Sequence, residues 1–393
     1  MIKPNCMEKL LGGVDMKWEL LDNVADYEQP TKYLIKSKNY SDDFDTPVLT
    51  AGKTFILGYT DEIEGIYKAS KNPVIIFDDF TTANKWVDFD FKAKSSAMKM
   101  ITSKNESEVL LKYIYYWLNS LPTELVEGDH KRQWISNFCN KLIPIPTINI
   151  QVEIVRILDA FTELTTELTT ELIARKKQYE YYRDKLLSFD ECEVEWKTLR
   201  EVALEFGRGK SKNRPRNDSK LYGGSIPFIQ TGDIRNAPHI IKEFTQTYNK
   251  FGLEQSKLWP KGTLCITIAA NIDETAILGF DSCFPDSVIG FVANPQKTSS
   301  GYVEYLLTSY KSKLQSKSTG SAQANINLST FENLLLPFPA LPEQQRIVSI
   351  LDKFETLTTS IAEGLPREIE LRQKQYEYFR NMLLSFPKEE VNA

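Results

Sequence analysis

Histidine is scarce in this chain of 393 residues, which contains only His130 and His239. A zinc site or a catalytic centre built on histidine is therefore poorly supported. The five cysteines lie far apart and form no Cys-x-x-Cys pair, so we expect reduced thiols in a cytosolic protein. No apolar run is long enough to cross a membrane, and residues 1–15 do not have the pattern of a secretory signal.

Common catalytic motifs are also missing from the sequence. It contains no G-x-S-x-G, no H-E-x-x-H, no G-x-G-x-x-G between a strand and a helix, and no Asn/Asp-Pro-Pro-aromatic tetrapeptide of adenine methyltransferases. The segment Glu205–Ser211 resembles a phosphate-binding loop, but that loop needs a glycine where Leu204 stands. The sequence therefore predicts a chain without its own catalytic apparatus.

Two other short patterns have a catalytic and a structural interpretation. Glu195-Trp196-Lys197 has the E-x-K form of nuclease metal sites, but it opens a repeated segment and we interpret it as structural. Asp78-Asp79 could serve as an acid–base pair. Because these residues follow the apolar run Pro73–Phe77, we expect them to end a strand instead.

An internal duplication dominates the sequence. Residues 175–189 (RKKQYEYYRDKLLSF) and 372–386 (RQKQYEYFRNMLLSF) are identical at eleven of fifteen positions. Both segments lack glycine and proline, so each is predicted to end a helix. The matching continues through Trp18 and Trp196 and through the Pro-x-Pro sequences at 144–146 and 337–339.

Each Pro-x-Pro is followed by a long amphipathic pattern. The first helix is predicted from about Gln151 to Ser188, and the second from near Glu343, with a kink or restart at Gly364 and Pro366. The shared apolar stripe predicts that the two helices pack against each other as an antiparallel, pseudo-twofold pair. The predicted packing residues are Leu158, Phe161, Leu164, Leu168, Leu172, Tyr179 and Tyr182 in the first copy, and Leu351, Phe354, Leu357, Ile361, Tyr376 and Phe379 in the second.

The positions of the two repeats predict an α+β protein with two globular domains joined by two long helices. The predicted segments are an N-terminal piece that continues the C-terminal junction (1–15), a first variable domain (16–142), a first helical spacer (143–190), a second variable domain (191–335), and a second spacer with the C-terminal tail (336–393).

Nucleic acid is a candidate partner although the formal net charge is −5, because local patches matter more than the total. Residues 208–220 carry six basic residues and one acid in a loop rich in Asn and Ser, which could neutralise phosphates or could simply be solvated. Gln, Asn and Arg side chains can recognise base edges, although an exposed polar turn has the same composition. The candidates are Lys53, Lys85, Trp86, His130, Lys131, Arg132 and Gln133 in the first domain, the last four within a predicted polar turn from Gly128 to Trp134, and Arg208, Lys210, Lys212, Arg214, Arg216, Gln230, Gln323 and Asn325 in the second.

Over essentially its whole length the chain resembles the specificity subunits of type I restriction–modification systems. The resemblance is carried by the two Pro-x-Pro–helix segments, above all by PEQQRIVSILD at 342–352, while Asn149-Ile150-Gln151-Val152 departs from that pattern in the first copy. It implies that the variable domains are target-recognition domains for the two halves of a split site in double-stranded DNA. It also implies that the spacers dock two modification subunits, and that restriction subunits complete the complex. S-adenosylmethionine, ATP and Mg²⁺ would be bound by those partners, and this chain would hold no cofactor or metal.

Within that resemblance, the repeat TELTTELTTEL at 162–172 suggests a hypothesis about spacing. One four-residue unit adds about 6 Å of helix, comparable with one or two base-pair steps, so the number of units could set the length of the unread DNA between the half-sites. The alternative interpretation is that the units are filler on a solvated helix face. Two rival functions stay open: an inert coiled-coil adaptor whose end domains bind proteins, and a self-sufficient nuclease or methyltransferase with disguised motifs.

Overall fold

The computed structural model describes residues 16–51, 54–122, 132–212, 218–268, 274–318, 333–360 and 363–386. The chain forms two compact units, and each contains residues from distant parts of the sequence. Unit 1 comprises Met1–Thr166 with Glu370–Ala393, and unit 2 comprises Glu167–Ile369. Within the described ranges, every helix is too short or too polar to cross a membrane.

The described part of unit 1 contains three small sheets. Its strands are β1 (Met16–Leu20), β2 (Ala25–Glu28), β3 (Thr46–Leu49), β4 (Ile56–Thr60), β5 (Val74–Asp78), β6 (Asn84–Val87), β7 (Lys92–Ala93), β8 (Met98–Ser103) and β9 (Leu142–Pro146). A two-stranded ladder pairs β1 with β9, a four-stranded sheet has the order β2-β8-β5-β6, and a three-stranded sheet has the order β4-β3-β7. The short helices are α1 (Leu21–Val24), α2 (Leu111–Ser120) and α3 (Gln133–Ser136), with 3₁₀ turns at Pro30–Tyr33 and Phe138–Asn140.

All five residues of strand β5 are buried, which places this strand in the interior of unit 1. Its two faces serve two cores. Ile75 and Phe77 pack with helix α2, whereas Val74 and Ile76 face the three-stranded sheet. The apolar run in the sequence predicts this strand, and its burial on both faces explains why the run is uninterrupted.

Unit 2 repeats the plan with a different sheet. The strands are β10 (Glu195–Thr198), β11 (Ala203–Arg208), β12 (Tyr222–Phe228), β13 (Ile240–Ile241), β14 (Gln246–Tyr248), β15 (Leu264–Thr267), β16 (Thr275–Leu278), β17 (Val288–Ala293) and β18 (Leu335–Phe338). A ladder pairs β10 with β18, a five-stranded sheet has the order β11-β17-β15-β16-β13, and β12 pairs with β14. Its helices begin with α5 (Leu199–Val202), α6 (Thr231–Asn236), α7 (Lys250–Glu254) and α8 (Ser300–Ser318), with a 3₁₀ turn at Ser219–Leu221.

The first spacer is one helix of 39 residues, α4 (Ile148–Leu186). It begins three residues before the predicted start, because the carbonyl of Thr147 accepts bonds from the amides of Ile150 and Gln151. The second spacer is two helices, α9 (Leu341–Thr359) and α10 (Gly364–Leu384). Because helix α10 begins at Gly364, the predicted restart at this position is confirmed. Gly364 has φ +81°, a conformation that costs glycine little.

Each unit is completed by the helix end of the other repeat. Leu383 and Leu384 of α10 are buried in the core of unit 1, together with Ile154 and Leu158 of α4. Leu187, at the end of α4, is buried in the core of unit 2 with Ile347 and Leu351 of α9. The predicted α+β class with a duplicated architecture is confirmed.

Candidate functional site

The turn between β5 and β6 occupies one end of the four-stranded sheet in unit 1. Lys85 is exposed on the edge strand β6, opposite Ile76 of β5. Trp86, its neighbour, lies on the other face, against the ring of Tyr115 and with the Lys112 ammonium 5.0 Å from its ring centroid. Lys85 is therefore free to face a ligand, whereas Trp86 is a packing residue.

The two consecutive aspartates at the end of β5 perform different structural tasks. Asp78 holds its own turn: its carboxylate accepts bonds from the Phe80 amide at 2.9 Å and the Thr81 hydroxyl at 2.7 Å. Thr82 follows with φ +60°, a strained value for a β-branched residue. Asp79 is 1% exposed and bonds to a different segment. The sequence was right to place them at a strand end, and this geometry gives no acid–base pair.

The segment after residue 131 is fastened to that turn. The Gln133 amide donates to the Asp79 carbonyl and the Trp134 amide donates to the Asp79 carboxylate, both at 2.8 Å. Arg132 is exposed and Gln133 is half-buried, so both candidates lie at the same end of the sheet as the β5–β6 turn. The predicted polar turn is wrong at its end, because Trp134 is 1% exposed and belongs to helix α3.

In unit 2, three basic candidates follow one another along an extended edge. Arg208 ends strand β11, and Arg208, Lys210 and Lys212 are exposed while Gly209 and Ser211 are buried. The Gly209 amide donates to the Val288 carbonyl at 2.9 Å, and the Ser256 hydroxyl donates to the Lys210 carbonyl at 2.8 Å. The chain is thereby held extended, and alternation directs the three cations outward.

Gly209 is required for this arrangement. A Cβ atom at this position would lie 2.3 Å from the Phe284 carbonyl oxygen and 2.4 Å from that of Pro285. Any other residue would push the edge away from the loop beneath it. The cationic edge, which we define as residues 208–212, is therefore a built feature of unit 2.

Gln230 precedes helix α6 and has a clear structural task. Its amide donates to the Asp233 carboxylate at 2.8 Å, and its carbonyl accepts the Asp233 and Ile234 amides. Its side chain is half-buried. The remaining candidates fall outside the described residues: Lys53, His130, Lys131, Arg214, Arg216, Gln323 and Asn325.

Aromatic contacts join the helices at equivalent places in the two units. In unit 1, Phe161 stacks on Phe379 with centroids 5.1 Å apart, and Tyr116 contacts Tyr376. In unit 2, the ring centroid of Phe354 lies 6.0 Å from that of Tyr182 and 6.4 Å from that of Tyr179.

The other predicted packing residues vary in burial. Leu158 and Leu351 are fully buried, Leu164, Leu168 and Leu172 are half-buried, and Leu357 is 36% exposed. Ile361 falls outside the described residues. Burial raises the pKa of both Tyr179 and Tyr376 to about 12, so both are neutral phenols within the helix contacts.

Buried glutamines, which sequence reasoning missed, lock each spacer to its domain. In unit 1 the Gln151 amide group donates to the carbonyls of Glu108 at 2.9 Å and Pro146 at 2.8 Å, and its oxygen accepts the Leu110 amide at 3.0 Å. The sequence did offer a signal, because Gln151 occupies the place of Gln344 in PEQQ.

Gln344 repeats the arrangement in unit 2. It donates to the carbonyls of Lys297 at 2.9 Å and Pro339 at 2.8 Å, and it accepts the Thr298 hydroxyl at 2.9 Å. A tyrosine of the preceding helix, α2 in unit 1 and α8 in unit 2, also makes an equivalent hydrogen bond in each unit. Tyr113 donates to the Pro144 carbonyl in unit 1, and Tyr302 donates to the Pro337 carbonyl in unit 2.

Several titratable groups of unit 2 lie around His239. Its Nδ1 lies 2.5 Å from the carboxylate of the buried Glu304. Burial is the largest single influence and lowers the pKa of His239, but the bond to Glu304 and the charges of Glu355 and Asp352 together raise it above its usual value. Burial raises the pKa of Glu304.

No group of three His, Cys, Asp or Glu side chains able to hold a metal ion occurs among the described residues. In the E-x-K pattern, Glu195 pairs with Lys197 on strand β10, which is laddered to β18. This is a structural placement, at the point where the chain enters unit 2.

The comparisons with known proteins agree with this duplicated plan. The family described as "Type I restriction modification DNA specificity domain" matches the chain twice, over residues 15–177 and 193–371. The "Type I restriction enzyme EcoR124I/EcoR124II specificity subunit" of Escherichia coli is 52% identical over 405 residues, covering 98% of each chain.

Solved structures share the fold at low identity. The type I restriction–modification S subunit from M. genitalium gives a TM-score of 0.58 at 15% identity, covering 96% of this chain and 98% of that one. A structure titled for complex assembly and conformational transition of the type I R-M system gives 0.59 at 17% identity, covering 95% and 98%.

Proposed function

The chain belongs to the family of type I restriction–modification specificity subunits, with two copies of the family's domain, and on that premise we propose that its two units recognise the two halves of one bipartite, asymmetric DNA site. The observation that carries this proposal is a common framework bearing different surfaces. The Gln151 and Gln344 locks are equivalent, whereas unit 1 presents Lys85 and Arg132 and unit 2 presents the cationic edge. Different surfaces on a repeated framework suit two different half-sites, as identical subunits suit a palindrome.

The experiment that tests this proposal maps methylated sites produced by the complex assembled with modification subunits. We expect one bipartite motif, with a fixed unread spacer. Deleting Thr166–Thr169, one TELT unit, should shorten that spacer by one or two base pairs and leave both half-sites unchanged. The deletion removes about 6 Å of helix, at the point where α4 passes from unit 1 into unit 2.

A variant that retains the wild-type spacer would contradict the spacing role of the TELT units. A wild-type complex that methylates no bipartite motif would contradict the recognition function itself. Replacing Glu163 and Glu171 with glutamine is the control, because it changes the same repeat without changing its length.

We also propose that the spacers dock two identical modification subunits, and exposed identities between the repeats support this. Lys177, Glu180 and Tyr181 are exposed, and their equivalents Lys374, Glu377 and Tyr378 are the same residue types and are exposed too. Tyr181 is 60% exposed and Tyr378 is 63% exposed. Each tyrosine makes an edge contact with the next aromatic residue but leaves more than half of its surface exposed. Two copies of one partner would account for the same exposed aromatic residue in both repeats.

Replacing both Tyr181 and Tyr378 with alanine should weaken binding of modification subunits by about 30-fold per site, the cost of a moderate interface hot spot. Each single variant should retain one tight site, so titration calorimetry would show two unequal affinities. The matched control is Lys176→Ala with Gln373→Ala, because these exposed positions differ between the repeats. Wild-type affinity in the double tyrosine variant would place the docking surface elsewhere.

We propose further that this chain catalyses neither methylation nor cleavage. S-adenosylmethionine, ATP and Mg²⁺ would then be bound by modification and restriction subunits, and the complex would act in the cytoplasm. The name of the Escherichia coli relative as a specificity subunit supports this division of labour. Methyl transfer by the purified chain alone would contradict it. If the chain together with modification subunits showed no salt-dependent binding of duplex DNA, a protein-binding adaptor would be favoured instead.

A further inference from the structure

A buried charge pair lies behind the segment that carries Arg132 and Gln133. Lys99 on strand β8 is 0% exposed, and its Nζ lies 3.7 Å from the carboxylate of Asp79, which is 1% exposed. The other oxygen of that carboxylate accepts the Trp134 amide. One aspartate thus connects a buried ammonium with the first turn of helix α3.

The surroundings of Lys99 are aromatic. Its Nζ lies 4.8 Å from the ring centroid of Tyr27 and makes no hydrogen bond with any atom of the residues that the structure describes. The Trp134 ring packs on Phe77 and Phe138 in the same core. An ammonium in such a place costs solvation free energy that a 3.7 Å ion pair repays poorly.

Stability alone therefore explains this pair poorly. Well-packed apolar residues often replace a buried ion pair at no loss of stability. What the buried aspartate does supply is position, because Asp79 holds both Gln133 and Trp134 through its carbonyl and its carboxylate. Asp78 fixes the adjoining β5–β6 turn. The two aspartates thus fix the β5–β6 turn relative to the segment that carries Arg132 and Gln133.

We propose that Asp79, with Lys99 as its buried counter-ion, is a positioning residue for DNA recognition by unit 1. It fixes helix α3 so that Arg132 and Gln133 meet the base edges in one register. This inference rests on the proposed function, because it presupposes that unit 1 recognises one half-site. Asp79 itself is buried and touches no DNA.

Two double variants, Asp79→Asn with Lys99→Met and Asp79→Ala with Lys99→Met, separate positioning from charge. Both remove the charge pair, but only asparagine retains an acceptor for the Trp134 amide. In the alanine variant, methylation mapped with the assembled complex should relax at one half of the site by about tenfold, the loss expected for one good base contact. The asparagine variant should remain within about twofold of wild type, and both should recognise the other half normally.

Each remaining outcome overturns the inference. Wild-type discrimination in both variants would show that the acceptor is unnecessary. Equal relaxation in both would assign the effect to the charge pair, and loss at both halves would indicate general unfolding. A wild-type complex that directs no bipartite methylation would instead contradict the proposed function.

Discussion

Replacing Arg208, Lys210 and Lys212 together with alanine should weaken DNA binding by the assembled complex about a hundredfold at physiological salt. Each cation that neutralises a phosphate contributes about 0.9 to the slope of log affinity against log salt. Three such contacts contribute roughly 2.7 to that slope, which at ~0.15 M salt corresponds to about two powers of ten.

The geometry of the cationic edge is what makes the three contributions additive. Alternate residues of an extended chain lie roughly 6.6 Å apart, and phosphates advance ~3.4 Å along the duplex axis per base on each strand. An edge of five residues can therefore follow one strand over several phosphates. Because phosphates carry no base identity, the variant should bind all sequences more weakly while recognising the same motif.

A matched triple variant, Lys242, Lys250 and Lys261 to alanine, gives the same change in net charge at other exposed lysines of unit 2. Binding measured by fluorescence anisotropy from low to high salt should give the control nearly the wild-type slope. If both triples lower the slope equally, the effect is one of total charge and the edge has no special role. If neither does, the DNA lies against another surface.

What could be predicted from the sequence was whatever the duplication or a local pattern made visible. The helix ends at 175–189 and 372–386 were recognisable because two copies agree, and the restart at Gly364 followed from glycine and proline chemistry. The run Pro73–Phe77 predicted β5 for the same local reason. None of these inferences requires information about which segments meet in space.

The missed features all depend on contacts between distant residues. Asp79 and Trp134 are 55 positions apart, and nothing local distinguishes an aspartate that anchors another segment from one that only ends a strand. The polar neighbours of Trp134 predict a polar turn at this position, yet the aromatic core of unit 1 buries its side chain. Similarly, the exposure of Arg208, Lys210 and Lys212 became meaningful only when Gly209 and Ser211 proved to be buried.

Replacing Gln151 with leucine should destabilise unit 1 by about 4 kcal/mol while leaving unit 2 near its wild-type stability. Leucine has a similar volume but leaves the carbonyls of Glu108 and Pro146 and the amide of Leu110 without this partner. Each buried group left unsatisfied costs about 1–3 kcal/mol, and local relaxation recovers part of the sum. For a unit of this size the unfolding temperature should fall by roughly 10 °C.

Gln344→Leu is the natural counterpart, since it deprives Lys297, Pro339 and Thr298 of the equivalent bonds in unit 2. Calorimetry of the two variants, with limited proteolysis to identify the unit that opens first, should give opposite patterns. In the assembled complex Gln151→Leu should impair one half-site and Gln344→Leu the other, because each glutamine fixes one domain to one spacer. Simultaneous melting of both units in either variant would show that the units fold as one cooperative body, and the glutamines would then govern overall stability and not the separate alignment of each domain.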